Sequence, residues 1–178
     1  MTFADCTFWP EGVDFDSRTR RFYVTSVRIG TIAEVGADGS MRSIVPSDTK
    51  RIGALLGVRV DPKRNDLWVT MSGIPQRPTY VAVDSSLAAL LRVRISDGVV
   101  EARWDLPPVA VRHVLGDIAV VSNGDVYVTD SAQPFLYRLR SGTGSLPRYA
   151  HPLFNSLQGV APAPGGRGCM SPTTRTDC

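Results

Sequence analysis

The chain has 178 residues, 43% of them hydrophobic and 21% charged, with a formal net charge of +3 and a pI near 9.0. That balance supplies a core and excludes a wholly disordered chain. The basic residues are scattered, which excludes a nucleic-acid or lipid-headgroup patch, and no apolar run approaches the ~18 residues of a membrane span.

Met1–Pro10 reads as a lead-in whose Phe3, Phe8 and Trp9 cover an edge or a hydrophobic seam. From Glu11-Gly12 onward, Val13 and Phe15 alternate with Asp14 and Asp16, the period-2 pattern of a strand. Ser17–Arg20 forms a turn, Arg21–Ser26 a second strand and Gly30–Val35 a third. Met41–Val45 is a fourth, after an Asp38-Gly39 turn. Pro46–Gly53 is a polar connection. The grammar restarts at Gly57 and runs to Ser72, with Asp61-Pro62 opening the turn. Gly73–Ala89 is then inserted, and Val83–Leu90 within it fits either a short helix or an extended approach. Leu90–Ile95 and Val99–Trp104 follow around Asp97-Gly98, and Leu106–Val114 crosses to a third unit. That unit has strands at Gly116–Val121, Asp125–Asp130, Phe135–Arg140 and Leu146–Ala150, the first pair joined at Asn123-Gly124.

GVDFD at Gly12, GVRVD at Gly57, GDIAVV at Gly116 and GVAPAPGGR at Gly159 are copies of one opening phrase. Repetition at roughly 40–50 residues, four short strands to a unit, is the signature of β-propeller blades. The predicted fold is therefore all-β: an incomplete β-propeller of four-stranded antiparallel blades. The blades span about 11–45, 56–105 and 115–150, and a fourth starts at 158. No normal α-helix is patterned anywhere. Cys6, Cys169 and Cys178 have neither the number nor the spacing of a disulfide framework or zinc site. Met1–Pro10 lacks the basic and apolar regions of a signal peptide, so the compartment expected by default is the cytoplasm.

PEGVDFD, GDIAVVSNGDVYVTDS, PFLYRLR and SLQGVAPAPGGR together resemble the senescence-marker-protein/gluconolactonase group of six-bladed propellers, relatives of strictosidine synthase and the paraoxonases. The resemblance runs from Trp9 to Arg167. It implies a divalent cation, often calcium, held on the central axis by residues just before the innermost strands. Those positions hold Glu11, Leu56, Gly116 and Gln158, with Asp117 in place of the glycine of the other units. Glu11 matches the family's acidic ligand and Asp117 replaces a second, while Leu56 supplies nothing and Gly116 stands where an Asn is usual. The alternative role for Glu11 and Asp117 is to cap strand entries by hydrogen-bonding backbone amides. Arg112 and His113 precede the third entry, and act there on a substrate carbonyl or carboxylate or else serve as structural residues. Asp130-Ser131 resembles a pair common in the family and otherwise reads as a turn cap. Trp68, Trp104, Phe135 and Tyr137 have core spacing.

After Arg167 the family continues with a strand such as Leu-Tyr-Val-Ala-Asp-Tyr. Codons for Gly168–Thr174 exist that spell this hexapeptide when read two nucleotides on, and 168–178 is expected to be a non-native, out-of-frame tail. Only Lys50 and Lys63 are lysine among the 20 basic residues, the bias of a GC-rich gene with few stop codons in other frames. Two functions follow from the resemblance. One is a truncated, non-catalytic propeller serving as a binding scaffold or fragment. The other is a metal-dependent hydrolase of small lactones or esters, using calcium or another divalent cation at the axis. Half a ring also predicts self-association through open blade edges, with part of the apolar set Val120, Val126, Val128, Leu136 and Leu139 exposed on the third blade.

Overall fold

The computed structural model describes residues 7–48, 50–107 and 111–164, and the backbone of 169–170. Three four-stranded antiparallel sheets follow one another along the chain, each in simple up-and-down order. Blade one consists of β1 (Pro10–Asp16), β2 (Arg21–Ser26), β3 (Ile32–Gly36) and β4 (Met41–Ile44). Blade two consists of β5 (Ala54–Asp61), β6 (Asp66–Ser72), β7 (Ala88–Arg94) and β8 (Val100–Asp105). Blade three consists of β9 (Leu115–Val120), β10 (Val126–Asp130), β11 (Phe135–Leu139) and β12 (Arg148–Ala150). A two-stranded unit, β13 (Ala161–Pro162) with β14 (Cys169–Met170), opens a fourth. The remaining positions of the expected tail, 168 and 171–178, lie outside the described residues.

Strand ends fall within three residues of those expected, because the turns carry their own conformational demands. Gly39, Gly98 and Gly124 all adopt positive φ, at 80°, 77° and 86°, the region that glycine enters without steric cost. The insertion of blade two resolves into a single 3-10 turn, Ala82–Ser86. Asp84 organises it: the buried carboxylate accepts the Val81 amide at 2.9 Å and pairs with Arg51 at 2.8 Å.

The core lies between blades rather than inside them. Tyr23, Ile32 and Ile44 of blade one pack on Val58, Leu67, Val69, Leu91 and Val93 of blade two. The opposite face of blade two, with Trp68 and Leu90, packs on Ile118, Val126, Val128 and Leu139 of blade three. This corrects the expected placement of exposed apolar surface. Val126, Val128 and Leu139 are buried against blade two, and Val120 and Leu136 are half-buried. The open apolar flank belongs to blade one, where Val13, Phe15 and Met41 are each about half exposed and Phe22 somewhat less. From the lead-in, Phe8 covers Val24, Ala33 and Val35 on that flank, while Trp9 is exposed under Arg28. Phe3 lies outside the described residues.

A threonine on the second strand of each blade binds that blade's inner strand, and in blades one and two it also joins the next blade. On β2, the Thr25 hydroxyl accepts the Gly12 amide at 2.9 Å and donates to the Leu56 carbonyl of the next inner strand. On β6, Thr70 accepts the Gly57 amide at 2.7 Å and donates to the Gly116 carbonyl at 2.8 Å. On β10, Thr129 accepts the Asp117 amide at 2.9 Å. Inner strands approach so closely here that a Cβ at Gly12 would run into the Leu56 carbonyl, and one at Gly57 into that of Gly116. Thr70→Val keeps the shape and removes the hydroxyl, leaving a buried amide and carbonyl unpaired. It is expected to cost about 1–3 kcal/mol in urea unfolding; a loss under ~0.5 kcal/mol would show the bridge to be dispensable.

The first hairpin turns of blades one and two share another device, a buried aspartate at the end of the inner strand. Asp61 accepts Trp68 Nε1 at 3.2 Å, the Lys63 amide at 3.1 Å and Arg64 Nη1 at 2.7 Å. Burial pushes its pKa up, but the Arg64 guanidinium, the indole N–H and the turn amides outweigh burial and hold it below the usual aspartate value. Asp16 behaves alike, through the Arg18 amide and the Thr19 hydroxyl. A depressed folded pKa means stability present above the unfolded value of about 3.9 and lost as pH falls through the folded one. Asp61→Asn should therefore flatten the stability–pH curve below about pH 4, measured by urea unfolding across acid pH.

Candidate functional site at the inner strands

The threonine bridges join the inner strands of blades one to three, and Asp117 reaches the fourth unit at the Val160 amide. Glu11, Leu56, Gly116 and Gln158 all line a cavity of about 260 Å³, together with Arg59 and Asp117. Glu11, Leu56 and Gly116 sit at the same place in their blades, each within the register shift at the start of its inner strand. Val13↔Val24, Val58↔Val69 and Ile118↔Val128 are equivalent pairs, and each follows or precedes a register shift.

Arg59 is the site residue that sequence reasoning missed. It alternates outward on β5, and its guanidinium stands 2.9 Å from Asp117 Oδ1 and 3.2 Å from the Val58 carbonyl. The only available signal was a cation at the position where blade one has Asp14, whose own carboxylate crosses to the Val60 amide at 2.8 Å. Asp117 is thoroughly engaged. Besides Arg59, Oδ1 accepts the Ile118 amide at 2.8 Å, and Oδ2 accepts the Val160 amide of the fourth unit at 3.2 Å. Glu11, in contrast, is exposed and makes no hydrogen bond or ion pair among the described residues. Gln158 donates to Ser156 Oγ at 2.8 Å.

Ser131 also lines this cavity, whereas Arg112 and His113 stand apart from it. His113 is only 4% exposed, and its Nδ1 lies 2.6 Å from Asp130 Oδ2 and 3.4 Å from the Tyr137 hydroxyl. Phe135 and Tyr137 flank the ring. Burial, followed by the nearby Asp130 charge, pushes the Tyr137 phenol well above its ordinary value, so it stays protonated. Asp130 Oδ1 accepts the amides of Val114 and Ala132, both at 3.1 Å. The cluster thus ties the crossing segment to the end of β10. Arg112 is exposed, and its carbonyl accepts Gln133 Nε2 at 3.1 Å. Neither Arg112 nor His113 lines the cavity.

As arranged, these donors do not fit a calcium ion, which takes six to eight oxygens. A guanidinium already occupies the cationic position beside Asp117. The Leu56 and Gly116 carbonyls are spent on Thr25 and Thr70. Among the described residues, no three His, Cys, Asp or Glu side chains stand together as a metal cluster.

No protein-family model and no curated protein matches the chain. Solved structures do. The gluconolactonase of Xanthomonas campestris aligns with a TM-score of 0.67 at 16% identity, over 94% of this chain and 56% of that one. Kuenenia stuttgartiensis hydrazine synthase aligns at 0.71 and 16%, over 93% and 50%. A chain of the nidogen/laminin complex aligns at 0.64 and 16%, over 87% and 52%. The fold is a β-propeller. Identities this low carry the fold alone, and the chain spans about half the length of these three structures. No helix among the described residues is long and apolar enough to cross a membrane.

Removing the Asp117 carboxylate leaves the Val160 amide unpaired and Arg59 without its counter-charge. Asp117→Ala is expected to lower stability by about 1–2 kcal/mol in urea unfolding. Glu11→Ala, on the same cavity, should change it by less than about 0.5 kcal/mol.

Proposed function

We propose that this chain is a propeller-type binding scaffold without hydrolytic chemistry of its own, whose inner-strand cavity takes a small polar ligand. The supporting observation is the state of the cavity's charged groups. A lactonase needs a cation or a positioned acid to polarise the carbonyl, and a base to activate water. Here Asp117 is held by Arg59 and by backbone amides, and the His113 imidazole is buried against Asp130, off the cavity. Glu11 and Gln158 remain as groups able to hydrogen-bond a ligand's hydroxyls.

A second reading, a metal-dependent hydrolase of small lactones or esters, is favoured by the likeness to a gluconolactonase and by the exposed Glu11 carboxylate. It requires Arg59 to swing away and release Asp117 to a cation, and it belongs to a complete axial site.

The two readings part on one set of measurements. For the scaffold, small lactones raise the melting temperature by mass action while hydrolysis stays at the buffer rate. Calcium changes neither quantity, and the Glu11→Ala, Asp117→Ala double variant is no slower than the parent at a temperature where both are folded. Calcium-dependent turnover that disappears in that variant would replace the scaffold by the hydrolase.

A further inference from the structure

A second concavity lies between blades two and three, away from the inner-strand cavity and sharing no residue with it. Its volume is about 220 Å³. Half-buried Trp104 forms its aromatic floor, backed by the nearly fully buried Trp68, with ring centroids 5.4 Å apart and planes tilted by 32°. Arg64 and Arg92 enter from blade two and Arg140 from blade three, and the Ser141–Thr143 turn closes the far side. Among the described residues, no carboxylate lines it.

The charge arrangement distinguishes this groove from an ordinary solvated face. Arg64 and Arg92 each have an acidic partner, but those partners, Asp61 and Asp66, are buried behind the lining. Arg92 Nε lies 3.3 Å from Asp66 Oδ2, yet it is buried and makes no hydrogen bond among the described residues. Burial raises the Asp66 pKa despite the neighbouring Arg92 charge, and the Glu101 and Asp61 carboxylates add to the rise. Arg140 is exposed, and among the described residues only its carbonyl is engaged, by Thr143. On blade three, Gly124 and Gly142 hold positive φ, so the turns meet the groove without side chains.

We propose that this groove binds a small aromatic anion: one ring carrying a carboxylate or phosphate, stacked on the accessible face of Trp104, its anionic group met by Arg92 and Arg140. A guanidinium presents a planar fork of N–H donors suited to carboxylate or phosphate oxygens, and an aromatic floor supplies the apolar area that such a site needs. The volume suits one ring and one anionic group.

Two of the three tryptophans in the chain line the groove, so intrinsic fluorescence reports on it. Phenyl phosphate, benzoate, phenol and inorganic phosphate are each titrated to about 10 mM, near the weak limit for ligands of this size. Saturable quenching is expected from phenyl phosphate and benzoate, with inorganic phosphate and phenol at least about tenfold weaker. The stronger of the two acids identifies the anionic group. Arg140→Glu reverses a charge at an exposed position and should weaken binding at least about tenfold. Arg28→Glu, over Trp9 on blade one, should leave it unchanged. Trp104→Leu, read by calorimetry because the signal is altered, should abolish binding; if it does not fold, Arg140→Glu alone decides. Quenching that does not saturate, that phenol reproduces, or that Arg140→Glu leaves intact would overturn the proposal.

Discussion

The structure depends on a hydroxyl shared between blades. Thr25 and Thr70 each take a hydrogen bond from the inner strand of their own blade and give one to the inner strand of the next. A side chain that both accepts and donates is required, and a small one, because the strands it joins leave no room for more. Glycine at 12 and 57 follows from the same closeness, since any Cβ there would meet the neighbouring carbonyl. The bridge fixes which residue of one inner strand lies beside which residue of the next. Once that register is set, Glu11, Leu56 and Gly116 share one cavity, which Gln158 of the fourth unit completes.

This explains how much of the molecule was legible in the chain. The phrases Tyr-Val-Thr and Trp-Val-Thr at the second strands, with Gly-Val-Asp and Gly-Val-Arg at the first, encode a local device and its repetition. Blade number and strand order therefore followed from periodicity, while the grouping of entry positions came from the resemblance to known propellers. What periodicity omits is the neighbour. Alternation shows that Val126 and Val128 share a face, but not that blade two covers it. Likewise, it shows Val13 and Phe15 on one face of β1 without revealing that this face lies open. Arg59 was hidden for the same reason: its partner is far along the chain, and only blade packing brings the two together.

Equivalent positions sharpen the point. Val58 and Leu67 of blade two are fully buried against blade one, whereas Val13 and Phe22, which occupy the same places in blade one, are exposed. The residue types scarcely differ, so burial here belongs to the stacking of blades and not to the strand. Since the dominant stabilisation is apolar area removed from water, each blade is stabilised mainly by its neighbours. The fold then behaves as a one-dimensional stack in which contacts between successive repeats carry the energy.

Asp117 is where that stack changes character. Blades one and two place glycine at this position and reach the next inner strand through close backbone approach and a threonine. Blade three places a carboxylate there, and the side chain itself reaches the fourth unit, at the Val160 amide. The ion pair with Arg59 is partly exposed on both sides, and such a pair contributes only ~0–1 kcal/mol. Its importance is positional. By drawing one carboxylate oxygen toward blade two, Arg59 aims the other at the amide next after Gly159. Three uses of one carboxylate, toward blade two, its own strand and the fourth unit, leave little capacity for a ligand. The residue that the resemblance offers as a second acidic metal ligand is thus, in this arrangement, the joint between blade three and the fourth unit.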